Sequence, residues 1–180
     1  YAYGNENNQK WIIVDMGVSF ADDSVPGVDL IVPDAGFIIE KKNDLLGIIL
    51  THAHEDHIGA VAHIWPDLRC KIYATPFTAV LISEKFKEKK IDITPYLKIV
   101  PLNGKIKLEN FEIDFITLTH SILEPNGLSI KTPLGTVLHT GDWKIDPNPL
   151  IGNKIDEDKL KSVGDRGVSA MICDSTNIFS

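Results

Sequence analysis

Thr51-His52-Ala53-His54-Glu55-Asp56-His57 places four metal-ligating side chains, His52, His54, Asp56 and His57, within six positions. The apolar run Leu46–Leu50 precedes this stretch, and Ile58–Trp65, a segment able to form a helix, follows it. The expected context is a strand end, a tight turn that carries the ligands, then a helix start. Neutral imidazoles crowded beside a carboxylate suit a borderline-soft divalent ion such as zinc. The chain has 6 histidines in 180 residues, and three fall here beside an aspartate, so chance clustering in a polar turn does not account for them.

One turn cannot fill two coordination shells, and two later segments have the form to supply the remainder. Phe111–Thr119 alternates as a half-buried strand and runs into His120. Gly135–Gly141 reads as another strand and runs into Asp142. Ligands at strand ends converge on one edge of a sheet, where open α/β folds place their sites.

His-x-His-x-Asp-His, a later strand-ending histidine and Thr140-Gly141-Asp142 together resemble the metallo-β-lactamase fold. Within that superfamily the sequence is most similar to the bacterial ribonuclease J family of β-CASP ribonucleases. Gly27–Asp34, His54–Gly59, His120–Ile122, His139–Asp146 and Asp174–Asn177 resemble its segments in order, from about Ile12 to Asn177. One departure is visible: Leu123, Glu124 and Pro125 stand where the family carries a proline and then an acidic residue.

The resemblance implies an α/β (α+β) chain with part of the αββα sandwich. Residues 1–180 would be the N-terminal part of a metallo-β-lactamase domain, with the β-CASP insertion following Ser180. It assigns one zinc ion to His52, His54 and His120 and a second to Asp56 and His57, with Asp142 bridging; manganese or magnesium would be alternatives. Asp56, His57 and Asp142 would then be catalytic. No histidine follows His139, so the family's last ligand to the second ion falls outside these residues, which alone are expected to be inactive.

Asp15 resembles the superfamily's first motif, an aspartate that supports ligand histidines; a turn-initiating role is the alternative. Ser175 and Thr176 are candidates to touch a phosphate, or equally to cap. Glu55 is expected to face solvent, His63 to be a packing or surface residue, His139 to be structural, and Trp143 and Lys144 to wall the pocket. The activity implied is that of a zinc-dependent ribonuclease, a hydrolase cleaving RNA phosphodiesters as a 5′-to-3′ exonuclease and an endonuclease in RNA decay and maturation. A homo-oligomer would be its full-length form. The competing readings are a glyoxalase II-like or lactonase-like hydrolase of the same superfamily, and a non-catalytic partner subunit.

Composition agrees with a soluble globular domain: 43% hydrophobic residues and mean hydropathy near zero. Apolar runs reach only about six residues, against roughly 20 for a membrane span. No membrane association is expected. Two cysteines, Cys70 and Cys173, lack the spacing of a thiolate site, read as buried thiols and fit a reducing, cytoplasmic setting. The net charge of −7 is unusual for a protein that binds RNA; bound divalent ions offset part of it, and an inserted domain would supply more basic surface. The Glu84–Lys90 run, with its interleaved glutamates, reads as a solvated helix face.

Along the chain, strands are expected at 11–14, 28–32, 71–74, 97–100, 105–108, 127–132 and 168–173, the last of them buried. Asp34 would cap a short helix through Lys42. Pro76 would open a helix with Phe77, Val80 and Leu81 on one face, and 156–163 would be helical. Asn103-Gly104 would be the turn between two strands.

Overall fold

Parallel pairing organises the first of two units, Tyr1–Ile99, in a computed structural model that describes residues 1–6 and 8–176. Its elements are β1 (Ala2–Asn5), β2 (Asn8–Val14), β3 (Ser19–Phe20), β4 (Leu30–Ile31), α1 (Gly36–Glu40), β5 (Leu45–Ile49), α2 (Glu55–Ile58), α3 (Val61–Leu68), β6 (Ile72–Ala74), α4 (Pro76–Glu88) and β7 (Leu97–Ile99). The main sheet has the order β1-β2-β5-β6-β7, and only the β1 edge is antiparallel. The central strand β5 is nearly all apolar, and Ile48 and Ile49 are fully buried, as a parallel strand covered on both faces requires. Because β2 and β5 are parallel and Val14 pairs with Ile49, both chains leave the sheet at the same edge, one into Asp15 and the other into Thr51.

The anticipated helix after the histidine turn is two short ones, α2 and α3, separated at Gly59-Ala60. α4 begins at Pro76 as expected, but its buried face is Thr78, Ala79, Ile82 and Phe86, while Val80 is 61% exposed. Phe86 sets that phase. It is fully buried and meets the edge of Trp65, whose indole N–H donates to the Cys70 carbonyl at 2.8 Å. Burial pushes the Cys70 thiol up to about 12. The expected 28–32 strand shrinks to the exposed pair Leu30–Ile31 in the small β3–β4 ribbon. Asp34 does not cap α1; Ala35 is the capping position, and the Asp34 carboxylate accepts from the Gly36 N–H at 2.8 Å.

The second unit begins at Val100. It contains β8 (Lys105–Leu108), β9 (Phe111–Thr117), β10 (Asn126–Thr132), β11 (Gly135–His139), α5 (Glu157–Asp165) and β12 (Ala170–Ile172), in a sheet of order β12-β11-β10-β9-β8. β7 and β8 therefore do not form the expected pair around Asn103-Gly104; they belong to different sheets. Asn103, at φ 55°, turns its side-chain oxygen onto the Thr117 N–H at 2.9 Å. Asp156 caps α5 by accepting from the Lys159 N–H, and Val163 on that helix packs with Ile116 and Leu118. β9 and β11 each run antiparallel to β10, so they point the same way and end at one edge. The last strand is exposed, not buried: β12 has β11 as its single neighbour among the described residues, and Cys173 beyond it is exposed. An apolar triplet does not distinguish an edge strand from a central one.

The α4 packing predicts an asymmetry between two neighbouring apolar side chains. Phe86→Ala should cost about 3–5 kcal/mol of stability, whereas Val80→Ala should stay within about 0.5 kcal/mol. Urea denaturation of the two variants checks this; equal losses would place the buried face elsewhere.

Candidate metal centre

Residues 15–18 are laced to the histidine turn through the backbone. The Met16 N–H donates to the His57 carbonyl (2.7 Å), the Val18 N–H to Glu55 (3.1 Å) and the Ala60 N–H to Met16 (3.0 Å). Gly17 lies so close that an added Cβ would stand 1.7 Å from the Asp56 carbonyl oxygen, so no side chain fits. Asp15 sits at φ 58°, in the left-handed region that costs an L-residue roughly 1–2 kcal/mol and that Asp tolerates better than most.

That backbone conformation aims the Asp15 carboxylate into the turn. Oδ1 accepts from the Thr51 N–H at 2.8 Å, and Oδ2 accepts from the Thr51 hydroxyl at 2.6 Å. The same Oδ2 lies 2.8 Å from His57 Nδ1. A carboxylate only accepts, so His57 carries a proton on Nδ1, and in the neutral ring Nε2 is the lone pair. Nε2 is 3.7 Å from Asp56 Oδ2. His52 Nε2 and His54 Nδ1 face each other at 3.2 Å, and the His52 and His57 rings are 4.0 Å apart.

These separations fit a bound cation. With zinc–ligand bonds of about 2.0–2.2 Å, two donors on one tetrahedral ion stand roughly 3.3–3.5 Å apart. A cleft of about 550 Å³ opens beside Asp15 and Asp56, lined also by Val18, Ile31, Pro33 and Asp34.

In the second unit the shared direction of β9 and β11 brings His120 and Asp142 together, with Nε2 and Oδ2 at 3.6 Å. Beyond the sheet, Thr119 bridges to Lys144: the Lys144 N–H donates to the Thr119 carbonyl at 2.9 Å, and the Thr119 hydroxyl donates to the Lys144 carbonyl. Trp143 packs against the Ile116–Leu118–Val163 cluster and, with Leu138 and Leu160, lines an apolar cavity of about 300 Å³. The Thr176 hydroxyl donates to Asp174 at 2.6 Å, and this bond, ahead of the Thr176 N–H, lowers the Asp174 carboxyl pKa. Ser175 is exposed on the same turn, and Asn177 lies outside the described residues.

Glu55 lies between ligands in sequence but pairs with Lys85 on α4. His63 is exposed, with Lys89 Nζ 3.2 Å from its Nδ1; partial burial and then the Lys89 and Lys85 charges push its pKa down. Thr51 was not singled out from the sequence, although it is the residue that joins Asp15 to His52. A hydroxyl immediately before the first histidine was the available signal.

Residues 3–154 match the family model described as the metallo-beta-lactamase superfamily, and the chain belongs to that superfamily. The partial α/β fold expected from the sequence is borne out, and the donor cluster together with the family defines a divalent-metal site. Among its relatives the chain is 44% identical over 179 residues to ribonuclease J of Sinorhizobium meliloti, spanning 98% of this chain and 31% of that protein. It is 39% identical over 173 residues to ribonuclease J of Helicobacter pylori (96% and 25%) and 42% over 176 to that of Corynebacterium glutamicum (96% and 24%). The resemblance to the ribonuclease J family is thus borne out, and the chain spans about a quarter to a third of these relatives' length.

Two solved structures share the fold. The metallo-beta-lactamase fold protein YhfI from Bacillus subtilis aligns with TM-score 0.52 at 15% identity, over 81% of this chain and 55% of that one. Zn(2+)-bound PqqB from Methylobacterium extorquens aligns with TM-score 0.51 at 13% identity, over 77% and 47%.

Two substitutions follow from the Asp15 geometry. Asp15→Asn keeps the size but puts an amide where an acceptor of three donors stood, and should weaken zinc binding by about 10–100-fold, read by competition with a chromogenic chelator. Gly17→Ala should displace the Asp56 backbone and lower both the melting temperature and zinc affinity. Unchanged zinc affinity in both variants would mean that the 15–18 segment does not hold the turn.

Proposed function

We propose that the protein is a metal-dependent ribonuclease that hydrolyses RNA phosphodiesters, acting as a 5′-to-3′ exonuclease and an endonuclease in cytoplasmic RNA decay and maturation. The observation that carries this reading is the 44% identity to a ribonuclease J across 98% of the chain. In this reading His52, His54 and His120 hold one ion, Asp56 and His57 hold a second, and Asp142 is shared. Zinc is the favoured metal on donor chemistry, with manganese or magnesium as alternatives. The complete protein would bind two ions, carry a β-CASP insertion after Ser180 and form homo-oligomers.

When bound, such ions supply Lewis acidity to the phosphoryl oxygens and make a coordinated water acidic enough to attack near neutral pH. The chain's own residues prepare for this. Asp15 keeps the His57 proton on Nδ1, which leaves Nε2 available beside Asp56. His120 and Asp142 are paired at one sheet edge by strands of common direction. Ser175, with its exposed position, and Thr176, if its hydroxyl leaves Asp174, would donate to a phosphate of the substrate.

The test is degradation of a 5′-monophosphorylated single-stranded RNA with added zinc or manganese by the complete protein. Asp56→Ala and His57→Ala should each lower the rate at least about a hundredfold, while Glu55→Ala and His63→Ala should change it far less. A Glu55→Ala loss equal to that of Asp56→Ala would overturn the assignment within the turn. A protein inert to RNA that hydrolyses a thioester or lactone would move the function to a small-molecule hydrolase, and one inert to all three to a partner subunit.

A further inference from the structure

Thr51 Oγ1 stands 2.6 Å from Asp15 Oδ2 and 3.0 Å from His52 Nδ1, and both Thr51 and His52 are fully buried. A hydroxyl has one proton to give. Its 2.6 Å contact lies within the 2.5–2.7 Å range of hydrogen bonds from a hydroxyl to a carboxylate. The carboxylate cannot donate, so the Thr51 proton points to Asp15 and an oxygen lone pair faces His52. His52 Nδ1 is then the donor in that contact, and in the neutral ring Nε2, the nitrogen directed at His54, is the lone pair.

We propose that Thr51 is a positioning residue that relays the Asp15 carboxylate to His52, so that one carboxylate sets the tautomer of two imidazoles, His57 directly and His52 through the hydroxyl. The inference rests on the reading of His52 as a metal ligand through Nε2. It adds what the ligand assignment does not contain: a neutral side chain that decides which His52 nitrogen is available. The Thr51 backbone N–H bond to Asp15 is independent of the hydroxyl and survives its loss. Thr51→Val is close in shape, removes both hydroxyl contacts and leaves that backbone bond in place. Thr51→Ser keeps the hydroxyl.

The experiment compares the wild-type protein with Thr51→Val and Thr51→Ser in two measurements. Nitrogen-15 NMR of the metal-free protein, labelled at histidine, reads the His52 tautomer. Zinc affinity is read by chelator competition. The expected result is an Nδ1–H tautomer in wild type and Thr51→Ser, loss of that tautomer in Thr51→Val, and zinc binding weakened about 10–100-fold in Thr51→Val alone. An Nε2–H tautomer in wild type, or a Thr51→Val protein with wild-type tautomer and affinity, would overturn the relay. Should Thr51→Val fail to fold, the wild-type and Thr51→Ser tautomers still decide. A wild-type protein with the Nδ1–H tautomer but no zinc affinity would uphold the relay and sink the ligand assignment instead.

Discussion

The Asp15 carboxylate is the knot on which the first unit's chemistry hangs. It ties the end of β2 to the turn after β5 by accepting from the Thr51 backbone, the Thr51 hydroxyl and His57. Parallel pairing delivers the two chain segments to one edge, but pairing alone does not orient imidazoles. The strained backbone at Asp15 does that, and backbone bonds from residues 16 and 18 keep it in place. Gly17 has the same origin: the segment runs so close to Asp56 that only the absence of a side chain permits it. Local cost at residue 15 is offset by order across seven residues of ligand turn.

The second unit solves an analogous problem without a knot. Two strands that share a neighbour of opposite direction must agree with each other, so β9 and β11 end together whatever their side chains. The Thr119–Lys144 bridge extends that agreement past the last ladder bond, to the residues flanking His120 and Asp142. Buried Ile116, Leu118 and Val163 hold α5 on the strand.

Much of this was legible in the sequence because donor residues and strand-like runs adjoin one another. His52, His54, Asp56, His57, His120 and Asp142 stand out as candidate donors since each sits at or just beyond an apolar segment. What stayed hidden depends on partners distant in the chain. Asn103-Gly104 has the composition of a hairpin turn, yet the strands on either side join different sheets; the preference of Asn103 for a left-handed turn is local, whereas strand pairing is not. The buried face of α4 differs from the expected one because Phe77, Val80 and Leu81 are as apolar as Ile82 and Phe86, and contacts distant in the chain, such as that of Phe86 with Trp65, select between them. Thr51 was missed because a hydroxyl acquires its role from Asp15, thirty-six positions earlier.

The exposed β12 strand carries a consequence for the behaviour of the chain in solution. Among the described residues no strand lies on its outer side, Met171 and Ile172 are 60% and 49% exposed, and such an edge is a template for another strand. The net charge of −7 opposes that approach by mutual repulsion at neutral pH. Repulsion fades as the pH falls toward the isoelectric point near 5.3. Edge-to-edge association, and with it loss of colloidal stability, is therefore tied to mild acid and to the ionic strength that screens the same charge.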